Sequence, residues 1–169
     1  MKTVPLYGPK AAGRVALVDD EDYGLVMQHH WNVRETARVR RPDGPYAAAR
    51  FMRKGKVTYL LMHKLITGWP GTDHIDHDGL NNQRSNLRPA TASQNGANRR
   101  PVQGHSSQYK GVRWYPPRSN WCARIRCQGK LYHLGYFADE ADAARAYDAA
   151  AREMFGEYAS PNFPQCDAG

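Results

Sequence analysis

The chain has 169 residues, and none of its 16 acids falls between residues 79 and 138. That stretch carries ten cations instead: Arg84, Arg88, Arg99, Arg100, Lys110, Arg113, Arg118, Arg124, Arg126 and Lys130. The remainder holds 14 basic against 16 acidic residues, so the formal charge of +8 is concentrated in one place. A solubilising surface intersperses both signs. A one-sign stretch suits a polyanion, and nucleic acid is the commonest one. Long apolar runs are also missing, since no segment approaches the ~18 residues of a membrane span. The opening MKTVPLYGPKAAG has a lysine but no apolar core, which argues against a secretory signal. Cysteine is scarce. Cys122, Cys127 and Cys166 make no disulfide framework and include no CxxC pair for structural zinc, a pattern that predicts a reducing compartment.

What is present suffices for folding. With 41% hydrophobic and 24% charged residues the chain can bury a modest core, which excludes wholesale disorder. The pattern predicts an α+β protein in three blocks. In residues 1–58, runs such as Val15–Val18, Trp31–Val33 and Tyr46–Ala49 alternate with turn signals at Asp19-Asp20 and Pro42–Pro45. Asp20–His30 reads as a short helix capped by aspartates, with Leu25, Val26 and Trp31 facing inward. In residues 59–100, Leu60, Leu61, Leu65 and Ile66 form a short buried element ended by Gly68 and Pro70. Thr91 and Gln94 make a capping box that starts a helix ending before Pro101, and Thr72–Ile75 is extended. Residues 101–108 have linker composition, which sets domains at 1–100 and 109–164.

The third block begins with three short antiparallel strands, turning at Pro116–Asn120 and at Gln128-Gly129. Period 2 puts Trp121, Ala123 and Ile125 on one face, with Cys122, Arg124 and Arg126 on the other. Trp114 and Trp121 could stack on DNA, but at their alternating positions they read as packing aromatics. A helix follows, capped by Asp139, packed through Ala143, Ala144, Tyr147, Ala151 and Phe155, and ended by Gly156.

Chemistry concentrates at Asp73, His74, Asn86 and Asn95. Phosphodiester hydrolysis needs a hard cation to neutralise charge at the phosphate and a base near neutrality to activate water. Mg²⁺ takes oxygen donors and commonly only one or two protein groups, so Asp73 and Asn95 suffice. His74, next to Asp73 on an extended segment, points to the other side and is available as base. Asn86, midway in the loop, can tie backbone across the turn. His77 and Asp78 are either further ligands or solvated loop residues.

The segment 59–100 resembles the HNH (His-Me finger) endonucleases of the phage and intron homing branch. The matching residues are Met62–Leu65, Asp73–Ile75, Gly79–Asn82, Arg84–Arg88, Ala90-Thr91 and Ser93–Asn95. The resemblance implies a ββα-metal finger with His74 as general base, Asp73 and Asn95 holding one Mg²⁺ or Mn²⁺, and Asn86 structural. His63 takes the family's upstream histidine position, either near the scissile phosphate or as a packing residue. Nearly all of 107–164 resembles the AP2/ERF DNA-binding domain, through Tyr109–Trp114, Trp121, Ala123, Ile125, Gly129-Lys130, Leu134–Phe137, Glu140, Ala143-Ala144, Ala146–Asp148 and Asn162–Pro164. That implies a three-stranded sheet laid in the major groove, contacting DNA through Lys110, Arg113, Tyr115, Arg124, Arg126 and His133. Tyr115, Arg124 and His133 depart from the Arg, Glu and Trp usual in the plant proteins, so plant-type sequence preference does not carry over. The expectation is a monomeric endonuclease acting on double-stranded DNA in the cytoplasm of a bacterial or phage-infected cell. The alternative is a non-catalytic DNA-binding regulator on a nuclease scaffold.

Overall fold

A computed structural model describes residues 1–35, 45–99 and 106–163. Residues 101–105 of the expected linker and the Pro42–Gly44 part of the expected turn lie outside the described residues. Contacts gather the chain into two units, Met1–Thr91 and Ala92–Gly169.

The first unit opens with β1 (Lys2–Pro5) paired antiparallel to β2 (Val15–Val18), followed by α1 (Asp20–Val26). Strands β3 (Trp31–Arg34), β4 (Tyr46–Arg53) and β5 (Lys56–Leu61) form an antiparallel sheet in that order. The β4–β5 hairpin turns on Lys54-Gly55, both with positive φ (51° and 72°), the conformation whose twist suits a two-residue connection. Helix α2 (Met62–Thr67) continues directly from β5 and stops at Gly68, whose φ of 69° is easily reached only by glycine. β6 (Thr72–His74) then pairs with β7 (Leu87–Pro89), and a loop of twelve residues joins them. Val4, Val18, Val26, Trp31, Met62 and Leu87 fill the core.

Helix α1 departs from the sequence expectation in two ways. Leu25 is 37% exposed, because Val26 takes the core-facing position and its neighbour is turned about 100° away. Asp19 makes no capping bond; its carboxylate accepts from Arg84 N (2.7 Å) and Gln83 Nε2 (3.3 Å) instead. Trp31 is buried as expected, and its Nε1 donates to Val26 O at 2.7 Å.

The second unit holds α3 (Ala92–Ala97), then the antiparallel sheet β8 (Val112–Tyr115), β9 (Asn120–Cys127), β10 (Lys130–Phe137), and finally α4 (Glu140–Phe155). The sequence reading set α3 at the end of the first domain; by contacts it groups with the second unit, where Ala97 joins Ile125, Tyr147, Ala151 and Phe155. Asp139 caps α4 by accepting from Ala141 N and Asp142 N, worth about 1 kcal/mol. Ala143, Ala144, Ala150 and Ala151 are buried, so the helix lies close on the sheet. At Gly111, with φ of 78°, any Cβ would overlap the Tyr147 ring.

Candidate active site and nucleic-acid interface

The β6–β7 loop is held from both sides. Leu17 N donates to Leu80 O (2.9 Å) and Asn82 N donates to Leu17 O (2.8 Å), so the loop runs along β2 as a short extra strand. At its far end Arg84 makes a bidentate pair with buried Asp22, Nε to Oδ2 and Nη2 to Oδ1, both at 2.8 Å. Across the loop, the Asn86 side chain accepts from Asp76 N (3.0 Å) and donates to Asp76 Oδ1 and Asn81 O (both 2.9 Å). Burial works against the Asp76 charge. The donors on Asp78, Asn81 and Asn86 and the nearby His74 prevail, and the carboxyl stays below its ordinary range. The amide at position 86 therefore ties the loop together and reaches no reacting group.

Asp73 and His74 sit side by side on β6, 5% and 6% exposed. Arg88, opposite Asp73 in the register, places Nε (2.9 Å) and Nη2 (2.8 Å) on the same oxygen, Oδ2. His74 belongs to an aromatic cluster with His63 of α2 (centroids 5.0 Å apart) and Tyr46 of β4 (5.8 Å from His74, 5.6 Å from His63). Burial pushes His74 down from its ordinary range, against the pull of the Asn82 hydrogen bond and of the Asp76, Asp73 and Asp78 carboxylates. Burial, reinforced by the charges of His74 and Lys64, pushes His63 down to about 3. Burial thus disfavours the charged form of both rings.

Asn82 decides which nitrogen of His74 can take a proton. It is fully buried, and its Nδ2 donates to Leu80 O at 3.0 Å, which turns Oδ1 toward His74 Nε2 at 3.5 Å. An amide oxygen only accepts, so Nε2 carries the hydrogen and Nδ1 is left with the lone pair. The sequence reading gave neither Asn82 nor Tyr46 a role. Asn82 falls only within the Gly79–Asn82 match, and Tyr46 lies in a block that shows no chemistry in sequence. The one available signal is Gly79, whose lack of a side chain leaves room for the Tyr46 ring: a Cβ there would lie 2.6 Å from Tyr46 Cδ1.

Asn95 lies half-buried on α3, in the second unit. Among the described residues no three or more His, Cys, Asp or Glu are grouped to hold an ion. The expected donors, one carboxylate and one amide oxygen, are hard ligands that suit Mg²⁺, which keeps most of its waters. The donor chemistry therefore fits such an ion.

In the second unit, β-alternation and register put Arg113, Tyr115, Cys122, Arg124, Arg126 and His133 on the sheet face away from α4. The strands themselves contain no acid. Cys122 is nonetheless buried, between its row partners Arg113 and Tyr136. Two residues that the sequence reading passed over belong to the same surface. Tyr136 packs against His133 (4.5 Å) and Tyr115 (5.1 Å), and Arg118 lies 4.5 Å over the Tyr136 ring. A bulge between His133 and Gly135 shifts the alternation, so Tyr136 rather than Phe137 turns outward; Gly135, at φ 142°, was its only trace in the sequence. Lys110 does not join this face: its ammonium donates to Ala97 O and Ser160 O.

A family model described as AP2 domain matches residues 107–157. Over 154 residues, 90% of this chain and 77% of the relative, the sequence is 42% identical to an uncharacterized HNH endonuclease of Acanthamoeba polyphaga mimivirus. It is 29% identical over 87 residues to Protein 3.8 of Escherichia phage T7, covering 52% of this chain and 71% of that one. APETALA2-like protein 2 of Oryza sativa subsp. japonica is 40% identical over 80 residues, 47% of this chain but 18% of the plant protein.

Proposed function

Since the chain belongs to the HNH endonuclease family and carries an AP2 domain, we propose that it is a divalent-metal-dependent endonuclease of double-stranded DNA, positioned by its AP2 module. The observation that carries the reading is the His74 site: a buried imidazole beside Asp73 on β6, held by the Asn82 amide and enclosed by His63 and Tyr46. In this reading His74 is the general base, taking the proton from the attacking water at Nδ1. His63 and Tyr46 wall the ring so that it keeps one orientation, and Asn86 holds the loop whose ends carry the site. Asp73 on β6 would hold the ion; Asn95 as a second donor rests on the resemblance of the sequence to the family, as does the ββα finger. When bound, a divalent cation neutralises charge building on the phosphate and the leaving oxygen. Arg88 keeps the Asp73 carboxylate in place.

The outer face of the second unit supplies cations and flat rings to the duplex. Arg124 and Arg126 can donate to guanine or phosphate, and the Tyr115, His133 and Tyr136 group gives a platform of stacked side chains. The test is cleavage of supercoiled plasmid with Mg²⁺ or with EDTA. Intact protein should nick or linearise with Mg²⁺, and His74→Ala should abolish cleavage while leaving DNA affinity within a few-fold. Failure to cut any DNA with Mg²⁺ or Mn²⁺, its native locus included, refutes the enzyme and leaves a DNA-binding regulator.

A further inference from the structure

The site just described leaves one built surface of the first unit without a role. Residues 44–72 contain Arg50, Arg53, Lys54, Lys56 and Lys64 and no acid, a second one-sign stretch that the overall charge conceals. In the β3-β4-β5 sheet, Trp31, Val33, Ala47 and Ala49 face the core. The opposite face carries Arg34, Tyr46, Ala48, Arg50, Met52 and Tyr59, by the pairings Arg34 with Tyr46 and Arg50 with Tyr59. It forms an open groove floored by Ala48 and walled by Arg34, Arg50 and Tyr59. The Arg34 guanidinium lies 4.3 Å over the Tyr59 ring. Arg50, Arg53, Lys54 and Lys56 are exposed and have no acidic partner among the described residues. The one acid at the rim, Glu35, is matched by Lys10 (2.8 Å) and Arg14 (3.7 Å). Phe51, Met52 and Tyr59 are 42%, 62% and 42% exposed.

This face is continuous with the catalytic cluster. Tyr46, at the start of β4, packs on His74 and His63, and Arg50 projects from the same face four residues on, ~13 Å away at the usual strand rise. Unpaired cations interleaved with flat side chains repel one another unless a polyanion lies among them.

We propose that the β4–β5 hairpin face is a second DNA-backbone surface, with Arg34 and Arg50 on phosphates within about half a helical turn of the bond that is cut and Tyr59 packing on the sugar. It rests on the endonuclease reading above. The AP2 sheet selects the DNA; this face seats the strand on His74.

The test measures binding of the full chain to a duplex in EDTA over a range of salt, so that cleavage plays no part. Arg34→Gln/Arg50→Gln should make the slope of log K against log salt shallower by about 1.8, at about 0.9 per phosphate contact. Affinity should fall alike for all sequences. Arg50→Lys should keep the wild-type slope, since charge and not fork geometry is at stake. A hydroxyl-radical footprint of the double variant should lose protection beside the cleavage position and retain it under the AP2 module. An unchanged slope, or protection lost only under the AP2 module, overturns the proposal. Absence of cleavage by the wild type would instead overturn the endonuclease reading and leave these binding results standing.

Discussion

Replacing Gly79 with alanine puts a methyl group 2.6 Å from Tyr46 Cδ1, 2.8 Å from Cε1 and 2.7 Å from Pro45 O. Carbon atoms rest about 3.5–4.0 Å apart, so the ring must retreat by about 1 Å, and the carbonyl with it. The backbone at position 79 is not left-handed, so the effect is one of space alone. Tyr46 has nowhere to go without disturbing His63 and His74, whose ring centroids lie 5.6 and 5.8 Å from its own. Overpacking of this kind costs about 1–3 kcal/mol, or about 2–4 °C of melting temperature per kcal/mol for a chain of this size. A displacement of about 1 Å at a catalytic group lowers the rate by up to about 100-fold. The assay pairs a thermal melt with single-turnover plasmid cleavage and with duplex binding in EDTA. The melt and the cleavage rate should both fall while affinity through the AP2 module stays at the wild-type level. Adding Tyr46→Ala should recover part of the lost stability, because it removes one of the two clashing partners. A Gly79→Ala protein as stable and as active as wild type would refute the argument that Tyr46 walls the catalytic histidine.

Acid should destabilise the first unit through His63. Its folded value of about 3 lies below the ordinary 6.5, so the unfolded chain binds the proton first, and stability is full above pH 6.5 and falls toward pH 3. The slope contributed is at most about 1.4 kcal/mol per pH unit, and denaturant melts of His63→Gln across that window should show it reduced. Asp22→Ala removes the partner that orients Arg84 and should cost about 1–3 kcal/mol, read by chemical denaturation. Cleavage should fall further than binding, because the loop loses its anchor to α1. Arg124→Ala and Arg126→Ala should each flatten the salt dependence of duplex binding by about 0.9 if the contact is to phosphate, whereas a base contact shows as relaxed preference at one position in a selection experiment.

Much of this molecule follows from local pattern. The acid at 139, the small residues through 151 and the glycine at 156 produce α4 wherever the chain goes, because caps and amphipathic spacing act within one helix. The turn at Gln128-Gly129 and the extended Thr72–His74 are local in the same sense. Asp73, His74, Asn86 and Asn95 stand out in the sequence because chemistry restricts which residue types can serve, and the structure sets Asp73 and His74 side by side on β6 while Asn95 falls in the other unit. The linear chain leaves open whatever depends on register and on distant packing. A bulge in β10 moves Tyr136 to the sheet face away from α4, and the ammonium of Lys110 turns to the carbonyls of Ala97 and Ser160. Asp19 gives up its helix cap for a loop 65 residues away. The tautomer of His74 depends on Asn82, whose own orientation comes from Leu80 O and whose place comes from β2. The missing acids between 79 and 138 announced a polyanion from the sequence alone, since net charge is additive along the chain. The side of each sheet that meets it is a tertiary matter, because side chains alternate and only packing decides which half is buried.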